Sequence, residues 1–356
     1  MKSTRMIPIL QALLAAVLFG ASAPLAKLLL GEIPPVLLAA FLYLGSGLGL
    51  LLVKLIEKMA HKEQKEAHLT RSDWPWLAGA ILAGGVIAPI TLMISLRQAP
   101  AATASLLLNF EGVATTLIAV LVFKEAIGRR AWWAIGSITL ASILLSTDFT
   151  NQWGFSLSAL GVVAACVMWG VDNNLTRNIS AKDPLVIVTV KGLGAGLISL
   201  MIAVALGNTF PPLGVTLLAL LLGSLSYGLS IFLFVHAMRG LGAGRTSALF
   251  GMAPLAGILL SLAIFQEGPG LLFAIALPIM AAGAFILIRE NHDHLHIHEE
   301  FVHEHSHSHD DNHHQHEHET AKVGKSHGHA HVHASGEHSH DHAPDIHHRH
   351  SHTVEK

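Results

Sequence analysis

The 356-residue chain has a formal net charge of −2, which hides two parts of different composition. Residues 1–289 are mostly apolar and carry 18 Lys and Arg against 11 Asp and Glu, a net charge of +7, whereas residues 290–356 carry 4 against 13, a net charge of −9. The composition of the apolar part excludes an ordinary soluble domain, and the polar part has too few apolar residues to form a packed core. The chain has a single cysteine, Cys166, which excludes an intramolecular disulfide.

The apolar part contains ten stretches of transmembrane length. A helix needs about 20 apolar residues to cross a hydrocarbon core of about 30 Å, and lipid offers no partner for unpaired backbone groups, so each stretch is predicted to be a helix. In chain order the predicted spans are 7–30, 34–56, 74–95, 101–123, 131–147, 156–177, 184–206, 212–236, 245–265 and 270–288. A soluble all-helical domain is the alternative, but it would need polar helix faces that these stretches lack.

The first span also has the basic start, apolar middle and small-residue end of a secretory signal peptide. An internal repeat favours a helix that is retained. Residues 18–35 match residues 168–185 at a constant offset of 150, which aligns Gly20 with Gly170. A first span with a counterpart in the second half of the chain is expected to be a working helix.

A second match extends the repeat. Residues 97–125 match residues 239–267 at a constant offset of 142. Each repeat holds five predicted helices, and an odd number makes the second repeat enter the membrane from the opposite side, so the repeats are inverted. The predicted fold class is an all-α integral membrane protein whose parts are a first five-helix repeat at 6–147, a second at 154–290 and a disordered tail at 291–356.

Basic residues concentrate in alternate connections between the predicted helices. With the N-terminus in the cytoplasm, the inner connections hold most of the Lys and Arg, and the outer ones hold little beyond Arg97. Because cytoplasmic loops carry an excess of Lys and Arg, both termini, including the tail, are predicted to be cytoplasmic in a protein of the cell membrane.

The helix pattern resembles a known family. The repeats open with LFGASAPLAK at 18–27 and MWGVDNNLTR at 168–177, and later segments read LLLNFEGVATTLIAVLVFKE at 106–125 and LFGMAPLAGILLSLAIFQE at 249–267. With ten helices in two inverted repeats, these segments look like the EamA family of the drug/metabolite transporter superfamily, although Gly112 stands where a Pro is usual. The resemblance implies a secondary transporter, often an exporter, of small solutes such as amino acids, metabolites or drugs.

Polar side chains within the spans are the candidates for a transport path, because an ionisable group in lipid is costly unless it faces a partner or a water-filled cavity. The candidates are Asn109, Glu111, Asp172, Asn173, Asn174, Lys191, Tyr227 and His236. Glu111 is interpreted either as a cavity-lining or proton-coupling group or as a hydrogen-bonding link between helices. Residues 172–174 either line the path or supply an ion pair between Asp172 and Lys191 or Arg177 that fixes the sixth helix against the seventh.

His236 is the one histidine within a predicted span. A lone histidine at the cytoplasmic end of a helix is more often an interfacial or hydrogen-bonded residue than a ligand. With Asp172 and Glu111 it would nonetheless offer a set of two oxygens and one nitrogen that Ni²⁺, Co²⁺ and Zn²⁺ accept. The sequence leaves open whether the three converge.

The tail holds 23 of the chain's 26 histidines, between residues 292 and 352, and many of them recur at every second position. Imidazole is the commonest protein ligand for first-row transition metals, so the tail is predicted to bind Ni²⁺, Co²⁺, Zn²⁺ or Cu²⁺ with little selectivity beyond the Irving–Williams order. The predicted ligands are His303, His305, His307, His309, His313, His314, His316, His318, His327, His329, His331, His333, His338, His340 and His342. A solubilising linker and a pH sensor are the alternatives.

Three functions remain at this stage, and the first two differ in the class of cargo. The first is export of a divalent transition-metal cation by alternating access with proton antiport, with the tail collecting or sensing the metal. The second is export of a small metabolite, amino acid or drug, with the tail only buffering metal. A third is a membrane-bound metal store or sensor that transports nothing.

The expected partners are the lipid bilayer and the transported metal ion or small molecule. Nucleic acid is not an expected partner, and a homodimer is left open. No enzymatic activity and no required cofactor are expected, and the absence of a P-loop motif favours secondary-active over ATP-driven transport.

Overall fold

The computed structural model describes residues 6–60, 67–123, 129–148, 154–179, 182–241, 249–266 and 270–288, and in the tail 292–298, 301–307, 327–333 and 336–342. Six helical segments among these residues are long and apolar enough to cross a membrane, and three shorter helices are also apolar. The chain is therefore a multi-pass membrane protein, as its composition predicts.

Ten helical segments follow the predicted spans in order. They are α1 (Met6–Gly20, continued by Ser22–Leu29), α2 (Pro35–Met59), α3 (Trp74–Ala80, Ile81–Ile87 and Ala88–Leu96), α4 (Ala101–Leu107 and Phe110–Phe123), α5 (Arg129–Ser146), α6 (Leu157–Arg177), α7 (Pro184–Ala205), α8 (Leu213–Gly223, Ser224–Leu229 and Ser230–Leu241), α9 (Ala253–Phe265) and α10 (Leu271–Ile288). A short 3₁₀ turn, Arg71–Asp73, precedes α3. These bounds confirm the predicted all-α membrane fold.

Several helices begin at a residue that lacks a backbone N–H group or that accepts a hydrogen bond from the N–H groups of the first turn. Pro35 and Pro184 occupy the first turns of α2 and α7, where a missing backbone N–H costs nothing. The Asp183 carboxylate accepts hydrogen bonds from two backbone N–H groups in the first turn of α7, at 2.9 and 3.4 Å. The Ser156 hydroxyl accepts one from Ala159 N at 3.3 Å and so caps α6.

The same close helix crossing occurs at two places that the repeat offsets relate to each other. In one, α1 packs on α9, and in the other, α6 packs on α4. Gly20 of α1 packs so tightly on α9 that a Cβ there would overlap the Ala253 carbonyl and lie 3.1 Å from the Ala256 Cβ. Gly170 of α6 packs on α4, where a Cβ would lie 2.9 Å from the Ala114 Cβ. Gly20 and Gly170 are aligned by one offset, and Ala114 and Ala256 by the other. The crossing of the first helix of one repeat with the fourth of the other therefore occurs twice.

Irregular turns recur at the same offsets. A π-helical turn lies inside α3 at Ile81–Ile87 and another inside α8 at Ser224–Leu229, which correspond at an offset of 142. The helix α4 is interrupted at residues 108 and 109, and the chain turns at residues 251 and 252 directly before α9, within one residue of the equivalent position. The sequence predicts uninterrupted spans at all four places, so these irregularities are a feature that the apolar pattern does not encode.

The remaining elements are short strands. Between α5 and α6, β1 (Thr147–Asp148) pairs antiparallel with β2 (Gly154–Phe155). In the tail, for which the sequence predicts disorder, the described segments are strands: β3 (His292–His298) pairs with β6 (Gly336–His342), and β4 (Phe301–His307) pairs with β5 (His327–His333). The predicted ligands His309, His313, His314, His316 and His318 lie outside the described residues.

The crossing at Gly20 yields a stability prediction. Gly20→Ala places a methyl group against the backbone of α9, and overpacking of this kind costs about 1–3 kcal/mol, so the thermal unfolding temperature in detergent should fall. Gly136→Ala is the matched control, since a Cβ there meets nothing within 4 Å and should leave that temperature unchanged or slightly raised. Equal unfolding temperatures for the two variants would contradict the crossing.

Candidate transport site

An accessible polar face lies between α4 and α6. The Asn173 amide donates to Glu111 Oε1 at 2.9 Å and to Thr115 Oγ1 at 3.1 Å. Asn173 is exposed and Glu111 is partly exposed, although both lie within membrane-spanning helices. A carboxylate and an amide at such a position are expected to face a water-filled space or a solute rather than lipid.

The interruption of α4 positions Glu111. Residues 108 and 109 form a turn, and Glu111 then lies in the first turn of the second half-helix, Phe110–Phe123. A helix N-terminus carries a partial positive charge, which stabilises a carboxylate there. The backbone groups freed by the turn find local partners, because the Asn109 amide donates to Leu106 O at 3.0 Å and the Cys166 thiol lies 3.6 Å from Leu107 O. Interrupted helices with polar termini are typical of binding sites in secondary transporters.

A second polar group, buried next to this face, is an ion pair. The Lys191 ammonium of α7 donates to Asp172 Oδ2 of α6, and the Thr176 hydroxyl donates to Asp172 Oδ1 at 2.9 Å. Asp172 is only 3% exposed. The structure thus shows the ion pair with Lys191, one of the two interpretations of Asp172 in the sequence, and it joins α6 to α7.

The π-helical turn of α3 completes this buried group. Gly84 O, within the turn, accepts hydrogen bonds from Tyr43 Oη at 2.6 Å and from Trp169 Nε1 at 3.0 Å. A Cβ on Gly84 would overlap the Asp172 carboxylate, so only glycine allows α3 to approach α6 this closely. Tyr43, Gly84 and Trp169 were not among the predicted site residues. Their role depends on a π-turn that the sequence does not announce, although Tyr43 is one of only two tyrosines in the chain.

The symmetry-related position, where the two repeats exchange roles, lacks this polar group. At the repeat offsets, Ser22 corresponds to Asp172, Phe41 to Lys191 and Ala253 to Glu111. An aromatic row lies there instead. Ring-centroid distances are 5.7 Å between Tyr43 and Tyr227, 5.9 Å between Tyr227 and Phe19, 5.4 Å between Phe19 and Phe250, and 4.9 Å between Phe250 and Phe234. The Tyr43 end of the row is polar, because the Tyr43 hydroxyl donates to Gly84 O next to Asp172, and the Phe234 end is apolar.

Comparison with known proteins places this arrangement in a family. The model of the EamA-like transporter family matches residues 6–147 and again residues 156–289, most of the chain. The chain belongs to the EamA-like transporter family. An uncharacterized transporter of Methanothermobacter thermautotrophicus is 31% identical over 287 residues, which cover 77% of this chain and 83% of that protein. A solved crystal structure at 20% identity has a TM-score of 0.55 and covers 80% of this chain and 95% of its own, which shows the shared fold.

The other predicted path residues of this EamA-like chain have local contacts. The Asn174 amide donates to Thr115 O at 3.0 Å and to Gly170 O at 2.8 Å, which fixes α6 to α4. Tyr227 lies in the π-turn of α8 and belongs to the aromatic row. The structure therefore brings together Glu111 and Asn173 in the open face, with the Asp172–Lys191 pair buried beside it.

His236 lies apart from this group. It is exposed near the end of α8, with its ring 4.4 Å from that of Phe232. Among the described helices, no group of three or more His, Cys, Asp or Glu side chains is placed to hold a metal ion. The set of Glu111, Asp172 and His236 considered from the sequence is thus not assembled in this conformation.

The ion pair yields a second stability prediction. Lys191→Met leaves the Asp172 carboxylate buried without its counter-ion, which costs about 3–5 kcal/mol, so the unfolding temperature in detergent should fall sharply. Adding Asp172→Asn to this variant removes the unpaired charge and should recover most of the loss.

A weaker ion pair outside the spans is the control for this experiment. Lys182 Nζ lies 3.9 Å from Asp73 Oδ2, and Lys182→Met should cost less than about 1 kcal/mol. If Lys191→Met were as mild as this control, or if Asp172→Asn brought no recovery, the pair would not hold α6 to α7.

Proposed function

We propose that this EamA-like transporter is a secondary-active exporter of small organic solutes that carry a protonated amine next to an apolar or aromatic part. The observation that supports this proposal is an accessible carboxylate, Glu111, held by Asn173, in a chain whose neighbouring buried polar group adjoins an aromatic row at Tyr43. Such a site matches a cargo with one cationic end and one apolar end, as in amino-acid derivatives, amines and many drugs.

The charge of the site favours an amine over an anion. The Asp172–Lys191 pair is neutral as a unit and buried, so Glu111 supplies the charge that a solute would meet on the open face. An ammonium group forms charge-assisted hydrogen bonds with a carboxylate, and the Asn173 side chain adds an amide oxygen as acceptor. An anionic solute would face repulsion at the same place.

The aromatic row suits the rest of such a solute. It contains both tyrosines of the chain, Tyr43 and Tyr227, which join an apolar ring to a hydroxyl group. Aromatic faces attract organic cations and stack on rings, with contributions of about 0.5–2 kcal/mol for each contact. Side chains of this kind bind by shape and polarisability, which suits a transporter that accepts several related solutes.

The transport cycle would be alternating access by rocking of the two repeats about the central site. Glu111 would hold the amine in one conformation and a proton in the other, so that each solute leaves in exchange for an entering proton. The close crossings at Gly20 and Gly170 provide two equivalent contacts between the repeats that can exchange roles. Outward direction and a cytoplasmic location of both termini belong to the proposal, and the Lys and Arg of the inner connections support the location of the termini.

Export of a divalent transition-metal cation is the second candidate. The observation that favours it is the tail, with 23 of the chain's 26 histidines. A tail that binds Ni²⁺, Co²⁺ or Zn²⁺ on the cytoplasmic side would raise the local metal concentration at the entrance to the path. In this candidate, Glu111 and Asp172 would supply oxygen ligands within the membrane, and Lys191 would have to leave Asp172 before the metal could bind there.

Transport into proteoliposomes tests the proposal and separates the two candidates. The purified chain should move radiolabelled aromatic amines in response to a proton gradient, and Glu111→Gln should lower the rate by at least about 100-fold because it removes the charge that binds both amine and proton. Thr116→Val is the control, since the Thr116 hydroxyl donates to Gly112 O of its own helix at 2.8 Å, and it should retain most of the rate.

The outcome with metal decides between the cargoes. Uptake of Ni²⁺, Co²⁺ or Zn²⁺ that depends on Glu111, without any uptake of amines, would overturn the proposal in favour of the second candidate. Amine uptake that is unchanged in Glu111→Gln would overturn the assigned site, and the same assay with residues 292–352 deleted shows whether the tail takes part in transport.

A further inference from the structure

The histidines of the tail are matched across its two strand ladders. In the ladder of β4 and β5, His303, His305 and His307 pair with His331, His329 and His327. In the ladder of β3 and β6, His292, His294 and His296 pair with His342, His340 and His338. In each ladder, three of the four alternate pairs join two histidines, and positions two apart lie on the same face of a strand pair. Each ladder thus brings six histidine positions to one face.

Both ladders follow one register. From the pair His298–Gly336 to the pair Phe301–His333, the residue numbers of both strands change by three. The histidines occupy even-numbered positions in β3 and odd-numbered positions in β4, and the partners β6 and β5 make the same switch. Because both strands switch together, histidine is opposite histidine in both ladders, except at the pairs His298–Gly336 and Phe301–His333. A switch on one side alone would have placed histidine opposite other residues.

We propose that the paired histidines of β3–β6 and β4–β5 form two metal-binding ribbons, and that a divalent transition-metal ion folds each ribbon when it binds. Two neighbouring pairs of positions on one face, such as His303–His331 and His305–His329, bring four histidines to one stretch of a ladder. This number suits the tetrahedral preference of Zn²⁺. The inference concerns the tail itself and goes beyond the proposed function, because it holds whichever solute crosses the membrane.

The spacing of a ladder fits this chemistry. Directly opposite residues of an antiparallel pair have Cβ atoms about 4.5–5.5 Å apart, and positions two apart along a strand are separated by about 6.5 Å. An imidazole nitrogen binds Zn²⁺ at about 2.0–2.1 Å, and the length of the histidine side chain covers the remaining distance. Neighbouring pairs can therefore converge on one ion without a change of register.

The ribbons need the metal for stability. An isolated two-stranded hairpin is marginally stable in water, and the tail offers little apolar surface for further packing. Between the histidine pairs of β3 and β6, Asp293 is opposite Asp341, a like-charge pair that destabilises the ladder. A bound cation supplies binding free energy to folding and offsets this repulsion, as in small metal-dependent domains.

The experiment uses two reordered variants of the full-length protein in detergent. One reorders residues 327–333 from HGHAHVH to GHAHVHH, which keeps the composition but moves three of its four histidines out of phase with β4. The control reorders the same residues to HVHAHGH, which keeps every histidine in place. Zn²⁺ binding is measured by titration calorimetry, and backbone protection at 292–307 and 327–342 by hydrogen exchange with and without Zn²⁺.

The wild type and the control should bind Zn²⁺ alike and gain protection in both segments. The out-of-phase variant should lose the protection at 301–307 and 327–333 and bind the ions of that ribbon at least about tenfold more weakly, while 292–298 and 336–342 keep theirs. Equal affinity and protection in all three proteins would overturn the proposal in favour of a structureless chelator. Zn²⁺ binding without any gain of protection in the wild type would overturn it too, and neither result depends on transport activity.

Discussion

The constraint behind this structure is that hydrocarbon provides no hydrogen-bonding partner for a peptide group, so every backbone N–H and C=O within the membrane must find one inside the protein. Regular helices meet this requirement along most of the chain. The exceptions are the interruption of α4 at residues 108 and 109 and the two π-helical turns. Side chains satisfy the freed groups at these places, as Tyr43 and Trp169 do at Gly84 O. The polar residues of the site therefore gather where the helices are irregular.

Burial separates the polar residues into two kinds. Asp172 is closed off by Lys191, Thr176 and Gly84, and its role is to fix α3, α6 and α7 to one another. Glu111 and Asn173 are open, and their hydrogen bond leaves acceptor oxygens for a further partner. A rigid wall next to an accessible carboxylate is what a transport site needs, because the solute can then be exchanged without loss of the helix packing around it.

The sequence predicts the spans to within five residues, except that α9 begins at Ala253 and not at 245, because about 20 consecutive apolar residues have few other structures open to them. The repeat offsets align Gly20 with Gly170, although the helix crossings at these glycines required the structure. The choice of Lys191 over Arg177 as partner of Asp172, the π-turn at Gly84 and the aromatic row all depend on which faces of distant helices meet. Hydropathy carries no information about those contacts. Glu111 was a candidate from its position in the span alone, but its pairing with Asn173 required the structure.

The account places Asn173 in a water-filled path and not on the lipid surface, and thiol labelling tests this most directly. Cys166 is the chain's single cysteine and is buried, so Asn173→Cys can be introduced with Cys166→Ala and treated with a charged, membrane-impermeant thiol reagent. Leu197→Cys, at a position 52% exposed on α7, serves as the lipid-facing comparison. The account predicts that the cysteine at 173 reacts and the one at 197 does not. Resistance of both to the charged reagent, with equal reaction towards a lipid-soluble one, would contradict it.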